Sequence, residues 1–204
     1  LVSFGHAAYF GIGAYACAIL TKTHGLPFLA GLAAAPLLAG AFAAFFGFFC
    51  VRLTRIYFAM LTLAFAQIVW AVCLKWNAMT GGEQGMPSVP YPDMDWMIAL
   101  VVVALCFALL RMIVYSPFGR MLTVIRENPE RAEFIGINVR RYELAAFVLA
   151  GAFAGVAGAL FGIFNRGVFP DFAYWSKSAE VLIMTLLGGM GSFWGPAVGT
   201  AALL

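Results

Sequence analysis

Six arginines, Arg111, Arg120, Arg126, Arg131, Arg140 and Arg141, gather in one short stretch of a 204-residue chain that has only twelve lysines and arginines in all. The stretch 115–142 is the one long polar island in otherwise apolar surroundings. Guanidinium groups at this density suit anchoring and docking. They lie between two membrane-length apolar runs, which makes the island a cytoplasmic loop by the positive-inside rule. The island also holds apolar residues at helical spacing: Met121, Leu122, Val124 and Ile125, then Ala132, Phe134 and Ile135. Such residues can pack under a membrane domain or enter a partner's groove. A solvated linker would need the charges alone.

Catalytic chemistry is not visible. There is no Ser/His/Asp set, no clustered metal ligands and no Gly-rich phosphate loop with a lysine, so the chain is expected not to be an enzyme and to bind neither metal nor cofactor. Cys17, Cys50, Cys73 and Cys106 lie inside apolar runs at spacings that fit neither zinc nor a redox pair, and read as small packing residues. Near the start, Ser3 and His6 stand among Gly5, Gly11 and Gly13, with Tyr9 between them. Polar groups are costly in a bilayer, and glycines permit an unwound turn or close helix contact. This segment is either a broken helix lining a passage or a packing face with a paired histidine. The run Gly188, Gly189, Gly191, Ser192, Gly195, Pro196, Gly199 cannot sustain a straight helix, and a re-entrant segment is tolerated only in protein or against a cavity. Tyr57, Thr62, Gln67 and Thr185 are further polar groups in or beside the spans, with cross-helix hydrogen bonding the ordinary role for Gln67. Lys177 and Glu180 read as a local ion pair at the outer interface. A row of buried acids or bases, as ion-driven carriers need, is missing. Energy is expected to arrive through the island instead.

The elements that must position these groups follow from composition. The chain is 64% hydrophobic and 10% charged, against about 25% charged in a soluble domain. The bilayer has to be the solvent. About six spans can be read, over 1–21, 28–51, 56–74, 96–115, 144–164 and 181–204. The expected fold is an all-α polytopic membrane bundle: a single transmembrane domain over 1–204, itself a fragment of a longer protein, with 116–142 as a cytoplasmic loop inside it. Arg52 and Arg55 fall on the island's side of the membrane. Glu83, Asp93 and Asp95 outnumber Lys75 in the opposite loop, and Trp76, Trp96, Tyr174 and Trp175 suit an outer aromatic belt. The net charge of +3 follows this asymmetry and gives no reason to expect nucleic acid.

Local punctuation divides the island. Pro117 after Ser116 suits a helix start, Asn128-Pro129 reads as N-cap and first residue of a second helix, and Gly136 suits its end. Thr80 to Pro87, rich in Gly and Pro, reads as turn and not helix.

Four segments carry a resemblance: Ser3 to Tyr15; Arg55 to Ala64 with Thr80-Gly81-Gly82 and Gly85 downstream; Ser116 to Arg120 through Ile125 to Asn128 and Ile135 to Val139; and Leu187 to Ser192 with Gly195-Pro196 and Gly199. Together they resemble the permease subunits of ABC importers for branched-chain amino acids, a family that includes urea and short-amide permeases. The resemblance implies a multi-pass protein of the bacterial inner membrane that works with a second homologous permease, two ATP-hydrolysing subunits and a periplasmic amino-acid-binding protein; ATP is used by the partners. It implies that Arg126, Glu127, Asn128, Pro129, Ala132, Glu133 and Gly136 couple the ATPases to the spans. Thr80, Gly81 and Gly82 then belong to the surface facing the binding protein, and Ser3, His6, Tyr9, Tyr57, Thr62, Gln67, Gly188, Gly189 and Ser192 to the translocation path. A channel-like facilitative carrier without an ATPase, or a non-transporting membrane scaffold, would be the rival functions.

Overall fold

A computed structural model describes residues 3–53, 55–87, 89, 96–189 and 191–203. Asp93 and Asp95 of the acidic loop, and Met190, lie outside the described residues. The fold is an all-α bundle: α1 (His6–Lys22), α2 (Phe28–Cys50), α3 (Arg55–Lys75), a single turn α4 (Asn77–Thr80), α5 (Trp96–Tyr115), α6 (Pro117–Glu127), α7 (Pro129–Phe134), α8 (Val139–Phe164), α9 (Trp175–Gly188) and α10 (Gly195–Leu203). One pair of two-residue strands, β1 (Met86–Pro87) and β2 (Gly167–Val168), runs antiparallel, with Met86 opposite Val168.

Among the described residues, α2, α3, α5 and α8 are long and apolar enough to cross a membrane. The other two expected spans are shorter for physical reasons. The first begins only at His6, with Gly5 as its N-cap, and α1 has 17 residues. The last is two helices, α9 of 14 residues and α10 of nine, folded back on each other. Gly188 abuts the Gly195 carbonyl, Gly199 abuts the Met184 carbonyl, and Thr200 donates to the Met184 sulfur at 3.6 Å. Backbones this close leave no room for a Cβ. The glycines that break the span therefore also let its halves pack together.

The core is made by α1, α2 and α8. In lipid there is little hydrophobic drive between helices, and small residues that allow close van der Waals contact take its place. A Cβ on Gly155 would lie 2.5 Å from the Ala39 Cβ, and one on Gly151 would lie 2.5 Å from the Ala43 Cβ. Gly13 of α1 sits directly on the Gly155 backbone. Beside this seam an aromatic cluster fills the inner half: Tyr9 against Phe147 at 5.6 Å edge-to-face, Phe58 against Phe147 at 5.6 Å, and Phe46 stacked on Phe65 at 4.4 Å. Such pairs are each worth about 1 kcal/mol beyond their contact area.

α5 is different. Ala99 is its one buried described residue. It touches the bundle through Val102, which packs on the Cys17, Leu32 and Leu160 cluster, and through Phe107 against Phe193 and Trp194.

Candidate functional site

Three regions gather the sequence-derived candidates, at different levels of the bundle.

The first is the island. Every helix boundary in it has a local cause. The Ser116 Oγ accepts from the Gly119 N–H at 3.4 Å to open α6, Asn128 Oδ1 accepts from the Arg131 N–H at 3.0 Å to open α7, and Asn138 Oδ1 accepts from the Arg141 N–H at 3.2 Å to open α8. Pro117 and Pro129 occupy first helical positions, where no N–H is needed. At the end of α7 the Gly136 N–H bonds the Glu133 carbonyl at 2.9 Å and the Ile137 N–H bonds the Ala132 carbonyl at 3.0 Å, with Gly136 at φ +85. That is a Schellman closure, and the positive φ is why glycine stands there. Ile125, Ala132 and Val139 form a small core under the turn, and Phe118 stacks on Tyr142 at 5.6 Å. The helix pair is thus tied to the foot of α8. Of the candidates, Ala132 is buried, Asn128 and Pro129 are half-buried at the corner, and Arg126, Glu127, Glu133 and Gly136 are exposed. The apolar residues divide in the same way. Ile125 points inward, while Phe134 is 90% exposed and Ile135 71%. A phenylalanine that exposed is an uncovered apolar surface, on a helix pair whose Arg126 and Arg131 are exposed as well.

The second region surrounds the amino end of α1. Ser3 and Tyr9 are buried and His6 half-buried. The Ser3 Oγ accepts from the Gly5 N–H at 3.1 Å. The His6 ring meets Tyr9 and Phe147 edge-on, at 6.2 and 6.1 Å. Thr62 is buried in α3, donating to its own Ala59 carbonyl at 2.9 Å, and its backbone abuts Gly5. The structure therefore brings together Ser3, His6, Tyr9 and Thr62. Gln67 is half-buried a turn further along α3, and Tyr57 is exposed near the start of that helix. Gly188, Gly189 and Ser192 lie apart from this group, at the α9–α10 bend. α1 has no local side-chain cap; the Ala7 N–H is satisfied by the Ser178 Oγ at 2.7 Å, from 171 residues away. Sequence reasoning missed Ser178. Its only local signal is a place in the first turn of a helix, and its partner cannot be found by spacing.

The third region is the opposite end, built from α4, the strand pair and two 3₁₀ turns, Gly82–Gln84 and Pro170–Ala173. The expected turn over 80–87 contains these short helical and strand pieces because tertiary pairing with 167–168 and Thr80 fix it. Thr80 is buried, its hydroxyl donating to the Cys73 carbonyl at 2.6 Å. Gly82 is buried and Gly81 exposed, at φ +62 and +76. Lys22 Nζ donates to the Pro87 carbonyl at 3.1 Å, tying α1 to this end. Of the three candidates here only Gly81 offers surface; Glu83 and Gln84 beside it are exposed. Chain direction puts this end opposite the arginine island, and Arg52, with its guanidinium 4.1 Å over the Phe48 ring, on the island's side. Among the described residues no group of three His, Cys, Asp or Glu could hold a metal ion.

Comparison with known proteins agrees with this architecture. A family model described as "Branched-chain amino acid transport system / permease component" matches residues 1–204. The chain is 32% identical over 225 residues to the "High-affinity branched-chain amino acid transport system permease protein LivM" of Escherichia coli (strain K12), covering 94% of this chain and 53% of that protein. It is 32% identical over 112 residues to the corresponding permease protein LivH of Salmonella typhimurium, covering 55% of this chain and 36% of that one. A "Nucleoside ABC transporter permease protein NupB" of Lactococcus lactis is 30% identical over 96 residues, covering 45% of this chain and 24% of that one. The chain spans about half the length of the curated relatives it matches most fully. No solved structure matches.

Proposed function

The chain belongs to the branched-chain amino acid transport permease family, and on that premise we propose that it is the membrane-spanning part of an ABC importer subunit that moves branched-chain amino acids across the inner membrane. The observation that carries this reading is the capped α6–α7 pair. It is braced against α8 by a private core and presents Phe134 and Ile135 to solvent on a segment whose Arg126 and Arg131 are also exposed. A helix pair with an uncovered apolar tip and a rigid root is what a soluble motor subunit needs in order to push or pull on the spans.

In this mechanism two ATPase subunits close on ATP and drag α6 and α7 with them. Because Phe118 stacks on Tyr142 and Ile125 packs on Val139, the displacement passes to α8, and through the glycine seam to α1 and α2. A passage shared with a second permease then opens outward to receive cargo from a periplasmic binding protein facing the Gly81–Gln84 end. The spans hold cargo weakly, since a ligand shifts such an equilibrium only by its differential affinity for the two states. The permease does no chemistry, and the nucleotide is consumed by its partners.

The test is the full-length permease reconstituted with its partner subunits. Replacing Asn128, Pro129 and Glu133 together by alanine should leave the protein in the membrane but separate ATP hydrolysis from leucine uptake. Normal coupled uptake by that variant would remove the docking role. Retention of ATPase subunits on the intact chain, and their loss with the altered α6–α7, distinguishes this reading from a facilitative carrier. Cargo is assigned by parallel uptake of leucine, urea and a nucleoside, the last because of the nucleoside permease among the relatives.

A further inference from the structure

Lys177 and Glu180 read from sequence as an ion pair at the outer interface, but the fold sets them deeper. Tyr174, just before α9, packs on Trp70 with ring centroids 5.2 Å apart. One turn on, the Ser178 hydroxyl holds the Ala7 N–H at 2.7 Å. Ala7 follows Gly5, where an added Cβ would lie 3.0 Å from the Thr62 carbonyl oxygen. Trp70 and Thr62 are both interior positions of the 21-residue α3. At 1.5 Å per residue they lie roughly 7 Å from its Lys75 end and roughly 10 Å from its Arg55 end. The first turn of α9 therefore runs alongside the middle of a membrane-spanning helix. Lys177 and Glu180 straddle Ser178 there, with Nζ and Oε2 2.9 Å apart and side chains 42% and 52% exposed.

Charged side chains at that depth face protein or a water-filled cavity, not lipid. An i,i+3 pair exposed to water adds little stability, so stability does not explain its presence in so apolar a chain. Neither group is used up. Among the described residues, one of the three Lys177 N–H donors is bonded to Glu180, and the second Glu180 oxygen takes no donor. Val181 is exposed on the same helical face, one turn from Lys177.

We propose that Lys177 and Glu180 form the recognition site for the head group of a zwitterionic ligand, with the α-carboxylate on the Lys177 ammonium and the α-ammonium on the Glu180 carboxylate. An aliphatic side chain lies along Val181. Ser178 serves as the positioning residue that fixes this turn of α9 against α1. The assignment deepens the permease reading and rests on it: it names the part of the cargo that the spans contact and the residues that make the contact.

The experiment uses the full-length permease in its assembled importer. Lys177→Cys should react with a charged, membrane-impermeant thiosulfonate added from outside, several-fold more slowly when leucine and its binding protein are present; the wild-type importer, treated in parallel, is the control. No reaction, or no protection, would show that the pair meets the second permease or a dry packing surface, and would overturn the proposal. Glu180→Gln and Lys177→Gln should each lower leucine uptake about ten-fold, the size of one lost charge-assisted hydrogen bond, while retaining the ATPase subunits. The charge swap K177E/E180K rebuilds an ion pair but reverses the head-group polarity, so its uptake should stay low. Full recovery by the swap would make the pair a structural brace and defeat the proposal. Leucine uptake that is unchanged in both single variants defeats this inference alone, whereas a wild type that carries urea or a nucleoside but no amino acid defeats the cargo reading on which it rests.

Discussion

The α6–α7 pair and the amino end of α1 solve the same problem in opposite ways. Each has orphan backbone N–H groups at a helix start. In the island these are met within three residues, by Ser116, Asn128 and Asn138. At α1 no local side chain caps the first turn, and the Ala7 N–H is met by Ser178, which belongs to another helix. The island can use water as a fallback, so its caps need only be locally favourable. Within the bilayer no water stands by, and an unmet N–H costs several kcal/mol. A helix that starts inside the bundle can exist only where the tertiary fold supplies the acceptor. Short-range caps thus mark the part that behaves like a soluble domain, and long-range caps mark the part that depends on the assembled bundle.

Substitutions can break or sharpen this contrast. The largest effect is expected at the glycine seam that holds the bundle in the register the long-range cap needs. Gly155→Leu would drive a side chain into Ala39 and the Ala35 backbone of α2, destabilising by about 3 kcal/mol or more; loss of the folded fraction in detergent on heating would register it. Ser178→Ala leaves the Ala7 N–H without a partner and should cost about 2 kcal/mol. Faster amide exchange confined to the first turn of α1 is its signature, with Ser178→Thr close to wild type; uniform exchange rates would mean that the cap is not tertiary. Asn128→Ala removes a cap that water can replace, and about 1 kcal/mol is expected, seen as fraying of α7 with α1 untouched. Smallest of all, Phe134→Ser should change stability by less than about 0.5 kcal/mol, since the side chain is exposed. It should nevertheless weaken retention of the ATPase subunits in pull-down, and undiminished retention would detach the exposed tip from any docking role.

Legibility in the sequence follows the same division. Ser116-Pro117, Asn128-Pro129 and Gly136 announced their helix ends because capping is a matter of two to four residues. The apolar runs of α2, α3, α5 and α8 were readable because length and hydropathy alone make a span. The last run was readable as broken, but not as a hairpin, because the contacts of Gly188 with Gly195 and Gly199 with Met184 exist only after folding. Placing Lys177 and Glu180 at the outer interface was a reading by distance along the chain. The 3₁₀ turn Pro170–Ala173, packed with Ala173 on Gly11, carries the chain inward before α9 begins, and nothing local says so.

Composition and pattern alone determined that this chain lives in a bilayer as an all-α bundle, where its four long helices lie, and that one arginine-rich helix pair stands outside them. Those properties depend on hydration and on backbone groups close in sequence, which each residue feels whatever the rest of the chain does. Only the tertiary structure decided that α1 begins within the bundle under a hydroxyl from α9, that the candidate path residues fall into separate groups, and that an ion pair stands level with the middle of α3. Those depend on which backbones approach one another across more than a hundred residues, and in a membrane that choice rests on the fit of small side chains, which no periodicity records.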